Sequence, residues 1–458
     1  MSDDILSLSA TETLAHYKRK SLSPVEVMNA LIARAEQVEP SINAFSYQYF
    51  EEAMEAAKVA EAVYLSTPDA ARPLEGLAVA IKDAGHIAGK VTSSGSLTTV
   101  ETPQLVTSPV NQNILDAGGI VHARTTTPEY SCAAVTHSKR WGITRNPANP
   151  EFTPGGSSGG AAAALAVHTT HLASGSDIAG SIRIPAACCG VVGLKPSRGR
   201  TPVDRPFNLD FYCHTGPLAR TVQDATLLFN AMSGSQTAPV ILSPNTDLRD
   251  LRIGYSTNLG FYEVDQEVAR NTLNLVDQAR AFGASVTEVF FDWGWDLVDA
   301  ALAHLHQIFG TSIHMAAEGQ LDVMTPYARD FAERGLTVSP QEFYRALEMA
   351  SRVQGDMERV MSSYDVFICP TNAIPAVPTD FDHSQDELVI NGRSVQPMLG
   401  WVMTVPFNMA SNHPAISLPN GRAQNGVPIG AQLVGQPFGD APLLNIARTL
   451  ELIMSDNA

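Results

Sequence analysis

Residues 153–202 read TPGGSSGGAAAALAVHTTHLASGSDIAGSIRIPAACCGVVGLKPSRGRTP, and they carry two serine-bearing glycine turns. The first is Gly155-Gly156-Ser157-Ser158-Gly159-Gly160 and the second is Asp177-Ile178-Ala179-Gly180-Ser181-Ile182-Arg183. Glycine this dense permits positive φ and lets backbone N–H groups approach a bound group with no side chain between. Ala161 to Val167 has no Gly or Pro and high helix propensity, so the first turn is expected to open a helix whose N-terminal amides point toward the same place. The second turn is the better nucleophile site.

A nucleotide-binding loop needs G-x-G-x-x-G after a strand, or G-x-x-x-x-G-K-[ST]. Gly190-Val191-Val192-Gly193-Leu194-Lys195-Pro196 has neither spacing, and a proline stands where the helix should start. A glycine-serine linker is the plainer reading. Against it, the turns are embedded in apolar sequence, Ala161 to Val167 and Ile182 to Val192, as a buried loop would be.

Working outward, the chain has 458 residues, enough for a large core, and its 44% hydrophobic and 17% charged composition is that of a globular protein. A net charge of −17 disfavours nucleic acid and anionic membranes as partners, since both need a basic face. No apolar run approaches the roughly 18–20 residues that span a bilayer, and Met1-Ser2-Asp3-Asp4 lacks the basic and apolar regions of a signal peptide. The expectation is a cytoplasmic protein. Its five cysteines form no C-x-x-C pair and no even framework, which predicts buried free thiols.

Ser23-Pro24-Val25-Glu26 combines an N-cap serine, a proline at N1 and a glutamate at N3, so helices open the protein. Glu51 to Val63 continues as a second helix. Leu77 to Ile81 is a short apolar run that suits a strand buried on both faces and delivers Lys82 to its end. Strands are also expected at Ile120 to Ala123, Leu251 to Tyr255, Ala284 to Phe291, Asp365 to Cys369, Ala415 to Leu418 and Gly430 to Val434. Helices alternate with them at Val222 to Met232, Gln266 to Phe282 and Ala441 to Ile453, and residues 297–361 are mostly helical. Alternation of this kind implies an α/β layer fold. Residues 233–250, rich in Pro, Ser, Thr, Asn and Asp, are the one internal boundary and read as a surface crossing.

Twelve histidines raise the question of a metal or a Ser-His-Asp site. His304-Leu305-His306 and His168-Thr169-Thr170-His171 are the close pairs; neither makes H-E-x-x-H, and i,i+2 rings on a helix point to different faces. No metal is expected. The G-x-S-x-G elbow is missing around Ser181.

The two turns, with Ser157 and Ser181 24 positions apart, and the following Cys-Gly-Val-Val-Gly-Leu-Lys-Pro run resemble the amidase signature family of serine hydrolases. So do Gly76-Leu77-Ala78-Val79-Ala80-Ile81-Lys82-Asp83, Thr126-Thr127-Pro128-Glu129-Tyr130, Thr144-Arg145-Asn146-Pro147, Pro406-Phe407-Asn408 and residues 426–435. The resemblance covers about residues 8–452.

It implies one compact α/β domain around a large mixed, twisted sheet covered by helices on both faces. Residues 1–70 would be N-terminal helices, 71–232 the catalytic core segment, and 297–361 a helical insert lining the substrate pocket. It implies a triad without histidine: Ser181 as nucleophile, Ser157 as bridge after a cis Gly156-Ser157 peptide, and Lys82 as base. A serine hydroxyl needs a base within reach, and a lysine acts as one only when neutral, which burial favours. Backbone N–H groups of Ile178, Ala179, Gly180 and Ser181 would form the oxyanion hole. Ser158, Asp177 and Arg183 would support the turns, the last two as an ion pair.

Tyr130, Ser131 and Gly156 are candidate substrate contacts, with Phe309 and Trp401 as aromatic candidates for an apolar acyl pocket. Ala179 departs from the family's more common glycine and would be strained if that residue needed positive φ. The implied activity is hydrolysis of a small linear carboxamide through an acyl-serine, with no cofactor. The amidase component of a tRNA-dependent amidotransferase, its A subunit, shares the triad and stays an alternative, as does a scaffold without catalysis. A homodimer is left open.

Overall fold

Lys82 ends a strand, Ala78–Lys82, whose five residues are all buried. It lies parallel to Ile120–Thr125 on one side and to Leu172–Asp177 on the other. The computed structural model of the chain describes residues 2–235, 237–243, 247–317 and 319–456. Among them, eleven strands form one sheet. In sheet order these are Phe45–Gln48, Ile120–Thr125, Ala78–Lys82, Leu172–Asp177, His214–Ala219, Val192–Lys195, Ala415–Arg422, Pro428–Val434, Val366–Pro370, Arg252–Tyr255 and Ser285–Glu288. Parallel pairs lie toward both flanks and antiparallel pairs fill the middle, while the edge strand Phe45–Gln48 pairs antiparallel, so the sheet is mixed as expected.

Side chains alternate across a strand, and each face of this sheet has its own core. Along Val366–Pro370, Phe367 and Cys369 enter one cluster with Leu297, Val298 and Phe331. Val366 and Ile368 enter the other, with Leu31, Leu228 and Leu275. A strand buried on both faces reads as a continuous apolar run, which is why this one is legible.

The helices begin where local chemistry places them. Pro24–Ile42 starts at a complete capping box of Ser23 and Glu26, and Pro340–Met361 at another of Ser339 and Glu342. Ala10–Arg19, with a third capping box at Ser9 and Glu12, precedes the first helix expected from sequence. Gly159–Ala166 follows the first serine turn, and its alanines pack against Ala80, Ala123, Ala173 and Leu218. No described helix is long and apolar enough to cross a membrane.

The region expected as a helical insert, residues 297–361, holds most of Trp295–Leu305, a π-helical turn at His306–Gly310, Thr311–Ala316, Pro326–Gly335 and Pro340–Met361. The boundary expected at residues 233–250 does not divide the protein, because Val192–Lys195, before it, pairs with Ala415–Arg422, after it, in the same sheet. Residues 236 and 244–246 of that crossing lie outside the described residues. All five cysteines are free and buried.

Three central strands have no counterpart in the sequence-based expectation: Leu172–Asp177, Val192–Lys195 and His214–Ala219. Their Gly and Ser content hides them, yet it is what close packing demands. A Cβ at Gly175 would lie 2.8 Å from both Leu218 Cδ1 and Ser158 Oγ, and one at Gly216 would lie 2.2 Å from the Leu194 carbonyl oxygen.

Candidate active site

Lys82 is 3% exposed, and its Nζ lies 2.6 Å from Ser157 Oγ and 2.9 Å from Ser176 Oγ. Burial lowers its pKa and the Asp177 carboxylate pulls it back up, leaving it at about 7. At neutral pH a large fraction is therefore the free amine, the form able to take a proton from a serine. The sheet makes this possible by covering both sides of the lysine's strand.

Ser157 is buried and follows a cis Gly156-Ser157 peptide. The two turns are held together by the Ser158 N–H, which donates to the Ser181 carbonyl at 3.1 Å. Ser158 Oγ is buried without a partner. Ser157 Oγ and Ser181 Oγ make no hydrogen bond to each other in this state, as is common before a substrate draws catalytic groups together.

Asp177 and Arg183 are fully buried and paired, Arg183 donating through Nη2 to Oδ1 at 2.8 Å and through Nε to Oδ2 at 3.0 Å. Burial alone would raise the Asp177 carboxyl. The Arg183 charge and its hydrogen bonds, with help from Asn408 and Lys195, outweigh that and hold it well below the usual carboxylate range. Arg183 also donates to Asn408 Oδ1 (2.7 Å), Gln432 Oε1 (2.9 Å) and the Thr404 carbonyl (3.1 Å). Asn408 Nδ2 in turn donates to Asp177 Oδ1 at 2.9 Å. A buried charge this well satisfied fixes the turn that carries Ser181.

Within that turn the four amides expected to act together differ. Gly180 N–H donates to Asp177 Oδ1 at 2.9 Å, so it is engaged in holding the loop. The N–H groups of Ile178, Ala179 and Ser181 make no hydrogen bond within the described structure. The strain anticipated at Ala179 is absent, because the positive φ of the turn, 115°, falls on Gly180. A Cβ on Gly180 would lie 1.9 Å from Thr404 Oγ1, whose hydroxyl donates to the Ala179 carbonyl at 2.6 Å.

Two cavities meet at the turn. The larger, ≈ 260 Å³, is lined by Lys82, Ser176 and Asp204 together with Phe207, Phe309 and Ile313. The smaller, ≈ 50 Å³, is lined by Ser181 and Ala179 together with Leu305, Phe331, Met398 and Leu399. Among the described residues no group of three or more His, Cys, Asp and Glu side chains is placed to hold a metal ion.

The model of the amidase family matches residues 26–444. This chain belongs to the amidase signature family. It is 32% identical to an acylamidase of Rhodococcus erythropolis over 467 residues, covering 97% of this chain and 95% of that one. It is 31% identical to the A subunit of the glutamyl-tRNA(Gln) amidotransferase of Methylacidiphilum infernorum, covering 96% and 93%. A bacterial aryl acylamidase of known structure superposes with a TM-score of 0.90 at 27% identity, covering 97% of this chain and 96% of that one. The family membership makes the chain an amide-hydrolysing enzyme with this single-domain α/β fold.

Against the residues expected for an amidase signature hydrolase, the structure brings Lys82, Ser157, Ser158, Asp177, Arg183 and Ser181 into one cluster. Tyr130 and Ser131 line both cavities, as does Phe309. Gly156 lines neither, since it is pressed against the Val135 backbone, where a Cβ would lie 2.2 Å from the carbonyl oxygen. Trp401 is 1% exposed and belongs to the core. His304 pairs with Asp210 through Nε2 at 3.1 Å and stacks on Tyr212. Sequence reasoning assigned no part to Ser176 or to the side chains of Thr404, Asn408 and Gln432. Ser176 was detectable only as the residue before Asp177 in an unrecognised strand beside that of Lys82.

Proposed function

We propose that this enzyme hydrolyses the C–N bond of a small linear carboxamide to a carboxylate plus ammonia or an amine, through an acyl-Ser181 intermediate. The observation that carries the reading is the buried Lys82, near neutrality and 2.6 Å from Ser157 Oγ, beside a cavity that Ser181 lines.

Neutral Lys82 takes the Ser157 proton as Ser157 takes that of Ser181, and Ser181 Oγ forms a bond to the carbonyl carbon. The carbonyl oxygen gains negative charge against the free amides of Ile178, Ala179 and Ser181, the contribution that is usually largest in acyl transfer. Protonated Lys82 returns the proton through Ser157 to the nitrogen, and the C–N bond breaks. A water then repeats the sequence on the acyl-enzyme, its proton passing to Lys82 and on to Ser181, and the carboxylate leaves.

No cofactor, metal or nucleic acid enters this scheme, and we place it in the cytoplasm. The purified chain alone should release ammonia or amine from simple amides. A fluorophosphonate should label Ser181 in the wild type and leave Ser181→Ala unmodified. Labelling at Ser157 would reverse the assignment of nucleophile and bridge. The likeness to the amidotransferase relatives supports a second reading, in which ammonia passes to a partner. Amide turnover that appears only with partner proteins and tRNA would favour it.

A further inference from the structure

The lining of the larger cavity holds one carboxylate, Asp204, for which the hydrolytic scheme has no use. Ser108 Oγ donates to its Oδ2 at 2.6 Å, and Ser108 is itself buried and held by the His86 N–H, which donates to Oγ at 2.7 Å. Asp204 Oδ1 accepts no hydrogen bond, and neither oxygen has an ion-pair partner within the described structure. Asn111, 2% exposed, belongs to the same lining and donates from Nδ2 to the His86 carbonyl at 3.0 Å. A carbonyl can be met only by the amide nitrogen, so Oδ1 is the end left over, and it too accepts nothing. His86 joins the two groups, with its N–H on the Ser108 that holds Asp204 and its carbonyl on Asn111. Two acceptors without donors therefore face one cavity.

Three residues after Asp204, the Phe207 ring stacks on Phe309 at 5.0 Å with 23° between their planes, and both rings line the cavity. The face of such a ring attracts an ammonium group. No fixed positive charge in the lining competes for this end. Lys82 is committed to Ser157 and Ser176. His214 has its ring nitrogens at the backbone carbonyls of Tyr212 (2.9 Å) and Ser411 (3.3 Å), and burial first, then the nearby Lys195, lowers its pKa to about 3. Arg205, next to Asp204 in sequence, is exposed and outside the lining.

Given the amidase reading above, on which this inference rests, the nitrogen of the substrate must face the group that returns its proton. That group is Lys82 through Ser157, and Lys82 lines the larger cavity, so the amine portion lies there. We propose that Asp204, Asn111 and the Phe207–Phe309 pair form a cation subsite that selects amides whose amine portion ends in a second, protonated nitrogen, as in a singly acylated aliphatic diamine. The ammonium donates to the Asp204 carboxylate and Asn111 Oδ1 and lies against the rings. An anionic group at that position would meet Asp204 and two acceptors that cannot donate to it.

The test compares N-(4-aminobutyl)butyramide with its neutral isostere N-pentylbutyramide and with the anionic 5-(butyrylamino)pentanoate. Dissociation constants are measured by calorimetry on Ser181→Ala, and kcat/KM on the wild type. The cation should bind at least about tenfold more tightly than the neutral isostere, the scale of one hydrogen bond to a charged group, and the anion more weakly than either. The same order should hold in kcat/KM. Asp204→Asn keeps the shape and an acceptor for Ser108, and should bring the cation down toward the neutral isostere. Asp204→Glu should retain the preference, and Phe207→Leu should weaken the cation more than the neutral compound. Equal affinity of Ser181→Ala for the cation and its neutral isostere would overturn the proposal, as would an Asp204→Asn variant that kept the preference. Failure of the amidase reading looks different: Ser181→Ala still prefers the cation, yet the wild type turns over none of the three and Ser181 takes no label.

Discussion

Lys82 Nζ reaches Ser157 Oγ across 2.6 Å although 75 positions of sequence separate the two residues. The distance matters because the lysine is buried and sits at a pKa of about 7, burial lowering it against the pull of Asp177. The neutral amine is the active base, so its fraction falls as pH drops below that value. The pH profile of kcat/KM should therefore show an acidic limb near pH 7, rising about tenfold for each pH unit below it and levelling above. A limb near pH 10, the ordinary lysine range, would mean that the lysine is not the base.

Lys82→Ala separates the two proton transfers. An amine leaves poorly without a proton, whereas an alkoxide leaves more readily, and acid–base assistance is typically worth about 10²- to 10⁴-fold. Amide hydrolysis should fall further than hydrolysis of the matched ester, narrowing the preference for amides. Equal losses on both substrates would leave Lys82 as a base without an acid role.

Gly180→Ala should abolish activity while Ala179→Gly should change it little. Gly180 holds the turn's positive φ and its Cβ would lie 1.9 Å from Thr404 Oγ1, whereas Ala179 is not at positive φ. Steady-state kinetics of the two variants, with circular dichroism to confirm folding, checks the pair. An active Gly180→Ala enzyme would show that the loop geometry at Ser181 is not critical.

Arg183→Met removes the partner of a buried carboxylate. Breaking such a pair costs about 3–5 kcal/mol, because Asp177 keeps its charge without its main counter-ion. Urea unfolding should show a loss of that order, and the folded fraction should hydrolyse amides more slowly. The carboxyl should also titrate upward from its depressed range, which removes its share of the acid-side loss, so the variant's stability, lower at neutral pH, should fall less than the wild type's as pH drops through and below the ordinary carboxylate range.

Most strands on either side of the sheet's middle were open to reading, and the three between Ala78–Lys82 and Ala415–Arg422 were not. Ser23 with Glu26, and the apolar run ending at Lys82, announced themselves by caps and burial pattern. The strand Leu172–Asp177 did not, because Ser174, Gly175 and Ser176 lack the β-branched bulk that marks a strand; tertiary packing against Leu218 and Ser158 requires them to be small. The surroundings of Lys82 were not readable from its own stretch either, since nothing nearby in sequence shows which strands flank it on both sides. Asn408, which donates to Asp177 from 231 positions away, could be placed only by the folded sheet. The glycine turns drew attention to Ser157 and Ser181 because their chemistry is local.

Arg183 meets Gln432 across 249 positions and Asn408 across 225. Asn408 sits in the short helix Pro406–Met409 and Gln432 in the strand Pro428–Val434, both translated long after the serine turns. A nascent chain that has exposed Lys82, Ser157 and Ser181 therefore still lacks the clasp on its nucleophile loop. The loop that carries Ser181 can be clasped in this way only after residue 432 has been made.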